Sequence, residues 1–251
     1  SCQAKEPMKI RAVTSFYDPL RTSEMELEEL ARCSNEIVSI LESEGFIIQS
    51  QRVATSPFPN WLRGESESEW LSQIDCMVKA TTRLGWQYTS IGAASPTIID
   101  YFKLIPSILS LDPALFAAGV ISFGNQLFPQ AAAAAASVIV ENTQSTPDGF
   151  TNLRFAALAN VSPYAPFLPA AYTNHNEPPA IALAIECADE AINSFKNAQS
   201  LLQARETFLQ RLEGNAKKIE DICNKICVIH KVDFKGFDFS PAPYPADWCS
   251  L

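Results

Sequence analysis

The feature that most constrains this chain is a regular alternation of strand-like and helix-like runs through its first ninety or so residues. Lys9 to Phe16 alternates apolar and polar residues, as a half-buried strand does. Ser23 and Glu26 are spaced as a capping box, and Leu27, Leu30, Ala31, Val38 and Leu41 then share one helical face up to Gly45. Phe46 to Val53 is a second strand, closed by Ser56-Pro57-Phe58-Pro59, where two prolines forbid regular structure. Trp70, Leu71, Ile74, Met77, Val78 and Thr81 line a second helix ending at Gly85, and Trp86 to Ile91 is a third strand. A β-α-β-α-β order predicts a largely parallel sheet with outer helices, open or curled into a barrel. In both arrangements ligands gather at the carboxyl ends of the strands.

The remainder continues the pattern with more irregularity. A helix is expected after Pro96, a short one after Asp112-Pro113, and a strand over Val120 to Phe123. Pro129 opens an alanine-rich helix over Gln130 to Glu141, and Asn142 to Gly149 reads as a polar loop. Leu153 to Val161 and Ala180 to Ile185 are strands, separated by a loop holding Pro163, Pro166, Pro169, Pro178 and Pro179. A helical period then runs from Asp189 to His230, which unbroken would reach roughly 60 Å at ~1.5 Å per residue. Gly214 is therefore expected to divide it into an antiparallel pair. Val232 to Phe239 is the last strand, leading into the proline-stiffened Ser240 to Asp247. No linker interrupts this order, so residues 1–251 read as a single α/β domain with a flexible leader over 1–8.

Composition narrows the classes of function. With 47% hydrophobic and 19% charged residues the chain can bury a sizeable core. A net charge of −9 opposes nucleic acid and anionic membrane alike. The longest apolar stretches, Leu115 to Ile121 and Ala131 to Val140, fall short of the ~20 residues of a membrane span. Seven cysteines scattered through apolar helical positions suit reduced thiols and a cytoplasmic location. Dinucleotide, P-loop, hydrolase-elbow and zincin motifs are absent from the sequence.

Two histidines exist, His175 and His230. His175 sits in the polar tip Tyr172 to Glu177 of the proline-rich loop, where it reads as a general acid/base oriented by Asn174 or Glu177, or as a solvated loop residue. His230 ends a helix, where its imidazolium suits the C-terminal dipole. Cys223, Cys227 and His230 mimic metal-ligand spacing, but structural zinc wants a fourth ligand and two of the three continue an apolar stripe, so they read as core and no metal set is assigned. Cys187, at a helix start, is a candidate reactive thiol. Asp238 and Ser240 point to one side of the last strand, as a carboxylate and hydroxyl facing a site or as turn chemistry. Arg11 and Arg52, on the first two strands, either pair with buried carboxylates or clamp an anion.

Taken in order, KIRAVTSF at Lys9, RVATSP at Arg52, IPSILSLDPAL in the middle, FAALANVSPYAPF at Phe155, the His175 loop and GFDFSPAP near the end resemble the family catalogued as domain of unknown function 711. The resemblance covers almost the whole chain. It implies a β/α barrel of the pyruvate formate-lyase-like group and brings no established activity. That group's radical chemistry does not transfer, since it needs a glycyl-radical loop and a barrel cysteine; neither an adjacent cysteine pair nor an RVxGY-type loop occurs here. Relatives continue beyond the position of Leu251, so the barrel is expected to be incomplete at this end, completed by a C-terminal partner chain or by a homo-oligomer. Arg11, Arg52, Asn160, His175, Asp238 and Ser240 match the family most closely. The expected function is an enzyme acting on a small polar or carboxylated metabolite, with His175 and Asp238 catalytic and Arg11, Arg52, Asn160, Asn174 and Ser240 binding substrate; its cofactor is unknown. The alternatives are a small-molecule sensor or one subunit of a two-chain assembly.

Overall fold

The computed structural model describes residues 8–196 and 198–240. Nine strands form one sheet: β1 (Lys9–Tyr17), β2 (Ile47–Ile48), β3 (Gln51–Thr55), β4 (Tyr88–Ala94), β5 (Leu115–Phe123), β6 (Gln126–Leu127), β7 (Phe155–Ala159), β8 (Ala180–Glu186) and β9 (Asp233–Ser240). The helices are α1 (Glu24–Ser43), α2 (Glu67–Arg83), α3 (Asp100–Leu111), α4 (Pro129–Ser145), α5 (Ala188–Lys196) and α6 (Leu201–His230). The strand order is β6-β5-β4-β3-β1-β8-β9, with β2 beside β1 and β7 beside β5.

The alternating first part folds as its pattern dictates. Ser23 and Glu26 cap α1 reciprocally, and Ser66 and Glu69 do the same for α2. The expected second strand is split into β2 and β3. α3 lies close on the sheet because Gly119 has no side chain: a Cβ there would sit 2.2 Å from the Phe102 ring.

Two expectations are corrected. Asp112-Pro113 does not open a helix; Asp112 turns the chain by accepting from the Ala114 amide at 2.7 Å, and β5 starts at once. Gly214 does not divide the long helix. α6 runs unbroken for 30 residues, and the break comes earlier, between α5 and α6, where Ser200 caps the new helix. A Cβ at Gly214 would meet nothing within 4 Å, so this glycine lies in open space and forces no bend. The sheet is largely parallel, as expected, with antiparallel pairing of β1 with β8 and of β5 with β6. β1, β3, β4, β5 and β7 run parallel, but β8 is antiparallel to β1 and carries β9 with it.

α1, α2, α3, α4 and α6 pack on one face of the sheet. Ile10, Val13, Val53, Leu183 and Ile185 meet α1 and α6, while Ile91, Leu115 and Ala117 meet α2, α3 and α4. The opposite face is covered by chain without regular structure. The proline-rich segment 160–179 returns from β7 to β8 across it, seating Tyr164, Leu168 and Ala171 on Phe16, Ala54, Ala180 and Ala182. Val161, Ala170 and Tyr172 settle on Ala93, Ala118 and Leu158. Alanines on the strands make room for this loop. Its five prolines lack N–H groups, which lowers the number of donors to be satisfied when it is buried, but its carbonyls still need partners. Strand hydroxyls supply them: Thr14 Oγ1 donates to the Pro166 carbonyl at 2.7 Å and Ser90 Oγ to that of Ala171 at 3.0 Å.

Candidate functional site

β1 ends at Tyr17, and Asp18-Pro19 turns the chain toward α1. The Asp18 carboxylate is fully buried and collects four donors. Oδ1 accepts from the Leu20 amide at 3.1 Å and from Ser56 Oγ at 3.0 Å; Oδ2 accepts from the Asn176 amide at 2.7 Å and from His175 Nδ1 at 2.7 Å. Burial pushes this carboxyl up, but the Asn176 and Leu20 amides, the Ser56 hydroxyl and the His175 ring together hold it below the usual carboxylate range. A carboxylate can only accept, so the His175 proton facing it belongs to Nδ1, and Nε2 of the neutral ring keeps its lone pair. The His175 side chain is 40% exposed, and Nε2 has no partner among the described residues. The Arg21 guanidinium donates to the Asn176 carbonyl, and the Thr173 amide donates to that of Thr55 at 3.2 Å. The histidine loop is thus pinned to the ends of β1 and β3. Near it, the Thr22 and Thr173 hydroxyls are buried with no hydrogen-bond partner among the described residues.

Of the residues singled out in the sequence, His175 and its exposed neighbour Asn174 lie at this end of the sheet. The orienting partner is neither Asn174 nor Glu177 but Asp18, which the sequence reading passed over. Its signal was an aspartate placed directly after a strand, at the end where ligands gather. Asn160 closes β7 with φ 56° and donates to the Gly124 carbonyl at 3.1 Å, four strands along the sheet from β1.

Asp238 and Ser240 do not join His175. Because β8 and β9 run against β1, Asp238 pairs with Ala184 and Ala184 with Ala12. That level on β1 is roughly 20 Å from Asp18 at ~3.3 Å per residue. Between them lies the packed cluster of Phe16, Ala54, Ala180 and Ala182 under the loop. The remainder of the turn, 241–247, lies outside the described residues.

Arg11 and Arg52 also stand toward that far end. Arg11 faces Glu186 at 3.7 Å, with Gln49 donating to the same carboxylate at 3.1 Å. Arg52 has no carboxylate among the described residues. Its Nε donates to Ser50 Oγ at 2.9 Å, and its guanidinium lies 5.9 Å from the centre of the Tyr88 ring. Burial, with the charge of Arg11 added, brings it down to about 10.

The buried cysteines and His230 lie among the helices. Cys33, Cys223 and Cys227 are buried between α1 and α6, with the Cys33 and Cys227 sulfurs 3.9 Å apart. Burial pushes the Cys187 thiol up, against the expectation of a reactive thiolate. His230 bridges two carboxylates of α1, Glu29 at 2.5 Å and Glu36 at 2.8 Å, rather than serving only a helix dipole. No helix among the described residues is long and apolar enough to cross a membrane.

No curated protein matches this sequence. A family model does, over residues 3–251, and it carries no activity with it. The chain belongs to the family described as Uncharacterised ACR (DUF711).

Proposed function

We propose that this protein is an enzyme that moves a proton on a small polar or carboxylated metabolite, with His175 Nε2 as the general base. The single observation carrying this reading is the buried Asp18 carboxylate that fixes Nδ1 and leaves Nε2 outward. A loop histidine that were merely solvated would need no buried, four-donor anchor. Arg21, tied to the same loop, supplies a positive charge at the mouth. Asn174 is a substrate contact in this reading. Asp238, Ser240 and Asn160 take no part, because strand direction and strand order carry them away from His175.

Proton abstraction can be read without knowing the reaction: small metabolites are incubated with the protein in D2O and followed for deuterium entering carbon positions. The expected result is a compound that exchanges with wild type and about 10²–10⁴-fold more slowly with His175→Gln. An exchange rate untouched by that change would remove His175 from the chemistry. Thermal stabilisation by a compound with no exchange at all would leave a binding or sensor protein instead.

Three further readings belong to the same proposal. We take the sheet to curl into a barrel of the pyruvate formate-lyase-like group, because helices cover one face only and a loop fills the other. If so, the amides on the outer edge of β7 exchange with solvent as slowly as those of β5; fast exchange there means an open edge. We place the protein in the cytoplasm, where the buried thiols stay reduced. Assembly with a second copy or with another chain would show as a native mass above that of one chain.

A further inference from the structure

The far half of the loop-bearing face holds a charge arrangement that the His175 site does not use. Arg52 on β3 and Arg11 on β1 are joined through one hydroxyl: Ser50 Oγ donates to the Arg11 carbonyl at 2.8 Å and accepts from Arg52 Nε at 2.9 Å. The hydroxyl and the Tyr88 ring hold the Arg52 guanidinium in place, and Tyr88 is itself steadied edge-on by Phe116 at 5.5 Å. With Nε engaged, both Nη groups of Arg52 remain without a hydrogen-bond partner among the described residues. Arg11 keeps a long ion pair with Glu186 at 3.7 Å, and Gln49 donates to the same carboxylate at 3.1 Å. The Arg52 charge, half-buried and without a carboxylate among the described residues, costs stability that a bound anion would offset.

We infer that Arg52, Arg11 and Tyr88 form an anion subsite that takes the phosphate or carboxylate group of a small metabolite on the Nη fork of Arg52. A planar fork matches either oxyanion through two parallel hydrogen bonds. The Tyr88 ring, 39% exposed, offers the apolar floor on which the rest of such a molecule would lie. The subsite is separated from His175 by the packed loop, so it stands or falls independently of the proton-transfer reading.

The test is calorimetric titration and thermal unfolding with inorganic phosphate and, in a second arm, succinate, each against sodium chloride of equal ionic strength. Wild type is expected to bind at least one anion saturably and to melt higher with it; the tighter arm identifies the group. Arg52→Gln should weaken binding at least tenfold, Arg52→Lys should fail to restore it, and Arg11→Gln should weaken it several-fold. Without anion, Arg52→Gln should melt slightly higher than wild type, since it removes an unpaired charge. Lys103→Gln, on a remote exposed pair with Asp100, should change nothing. If Arg52→Gln does not fold, Arg11→Gln decides. No saturable binding beyond chloride in either arm, or unchanged affinity in both arginine variants, would overturn the subsite.

Discussion

Asp18, just past the end of β1, and Arg52, near the start of the neighbouring β3, stand toward opposite ends of the same sheet, and the protein treats their charges in opposite ways. Asp18 is wholly buried and answered four times over, by two amides, a hydroxyl and an imidazole. Arg52 is half-buried and answered by one hydroxyl and an aromatic ring, with another guanidinium for a neighbour. Completeness at Asp18 produces a fixed histidine, a group ready to act on something else. Incompleteness at Arg52 produces a fork ready to be completed from outside. Both conditions depend on the proline-rich loop, which supplies Asn176 and His175 at one end and does not cover Tyr88 at the other.

The contrast breaks most visibly if Asp18 is removed. Asp18→Ala leaves four donors facing an empty buried space and should cost about 3 kcal/mol of stability in urea unfolding. A loss below about 0.5 kcal/mol would mean that the anchor is not formed in solution. Next in size is the loop itself. Thr14→Val leaves the Pro166 carbonyl unmet beneath the loop and should cost about 1 kcal/mol, with faster amide exchange at Asn176. A loop that stayed equally protected would show that apolar packing alone holds it.

Acid sharpens the comparison further. The Asp18 carboxyl is held below its ordinary value of 3.8, so its contribution is complete above that pH and is lost as pH falls through the lower folded value. Wild type should therefore lose stability faster than Asp18→Asn below about pH 4; parallel curves would contradict the anchor. The smallest expected effect is at His230. Burial lowers it, but Glu36 and Glu29 more than offset this and raise it above 6.5. Its contribution is complete below that pH and fades as pH rises through the folded value, so His230→Gln should flatten only the alkaline side of the stability curve.

Much of this was legible in the sequence, and for identifiable reasons. Capping boxes at Ser23 and Ser66 and helical stripes such as Leu30, Ile37 and Leu41 are local signals, read without knowing the fold. The reversal of β8 and β9 was not legible, because strand direction depends on where the 160–179 loop carries the chain, and apolar alternation is the same in both directions. That one reversal separated Asp238 and Ser240 from His175. Gly214 misled because helix length was judged against a compact body, whereas α6 finds packing partners in both α1 and α5 along its length. Asp18 was missed because Asp-Pro reads first as a turn; its second role appears only when the loop from residue 173 arrives above it. Pairing and anion binding are not exclusive at the two arginines: Arg11 faces Glu186 and still belongs to the proposed anion subsite, while Arg52 faces no acid among the described residues.

The central claim is that Asp18 fixes the proton of His175 on Nδ1 and turns Nε2 outward. Nitrogen-15 NMR of the histidine-labelled protein reads the tautomer directly, at a pH where the His175 ring is neutral. The account predicts a protonated Nδ1 and a bare Nε2 in wild type, with that preference lost in Asp18→Asn. A neutral ring protonated on Nε2 in the wild-type protein would contradict it.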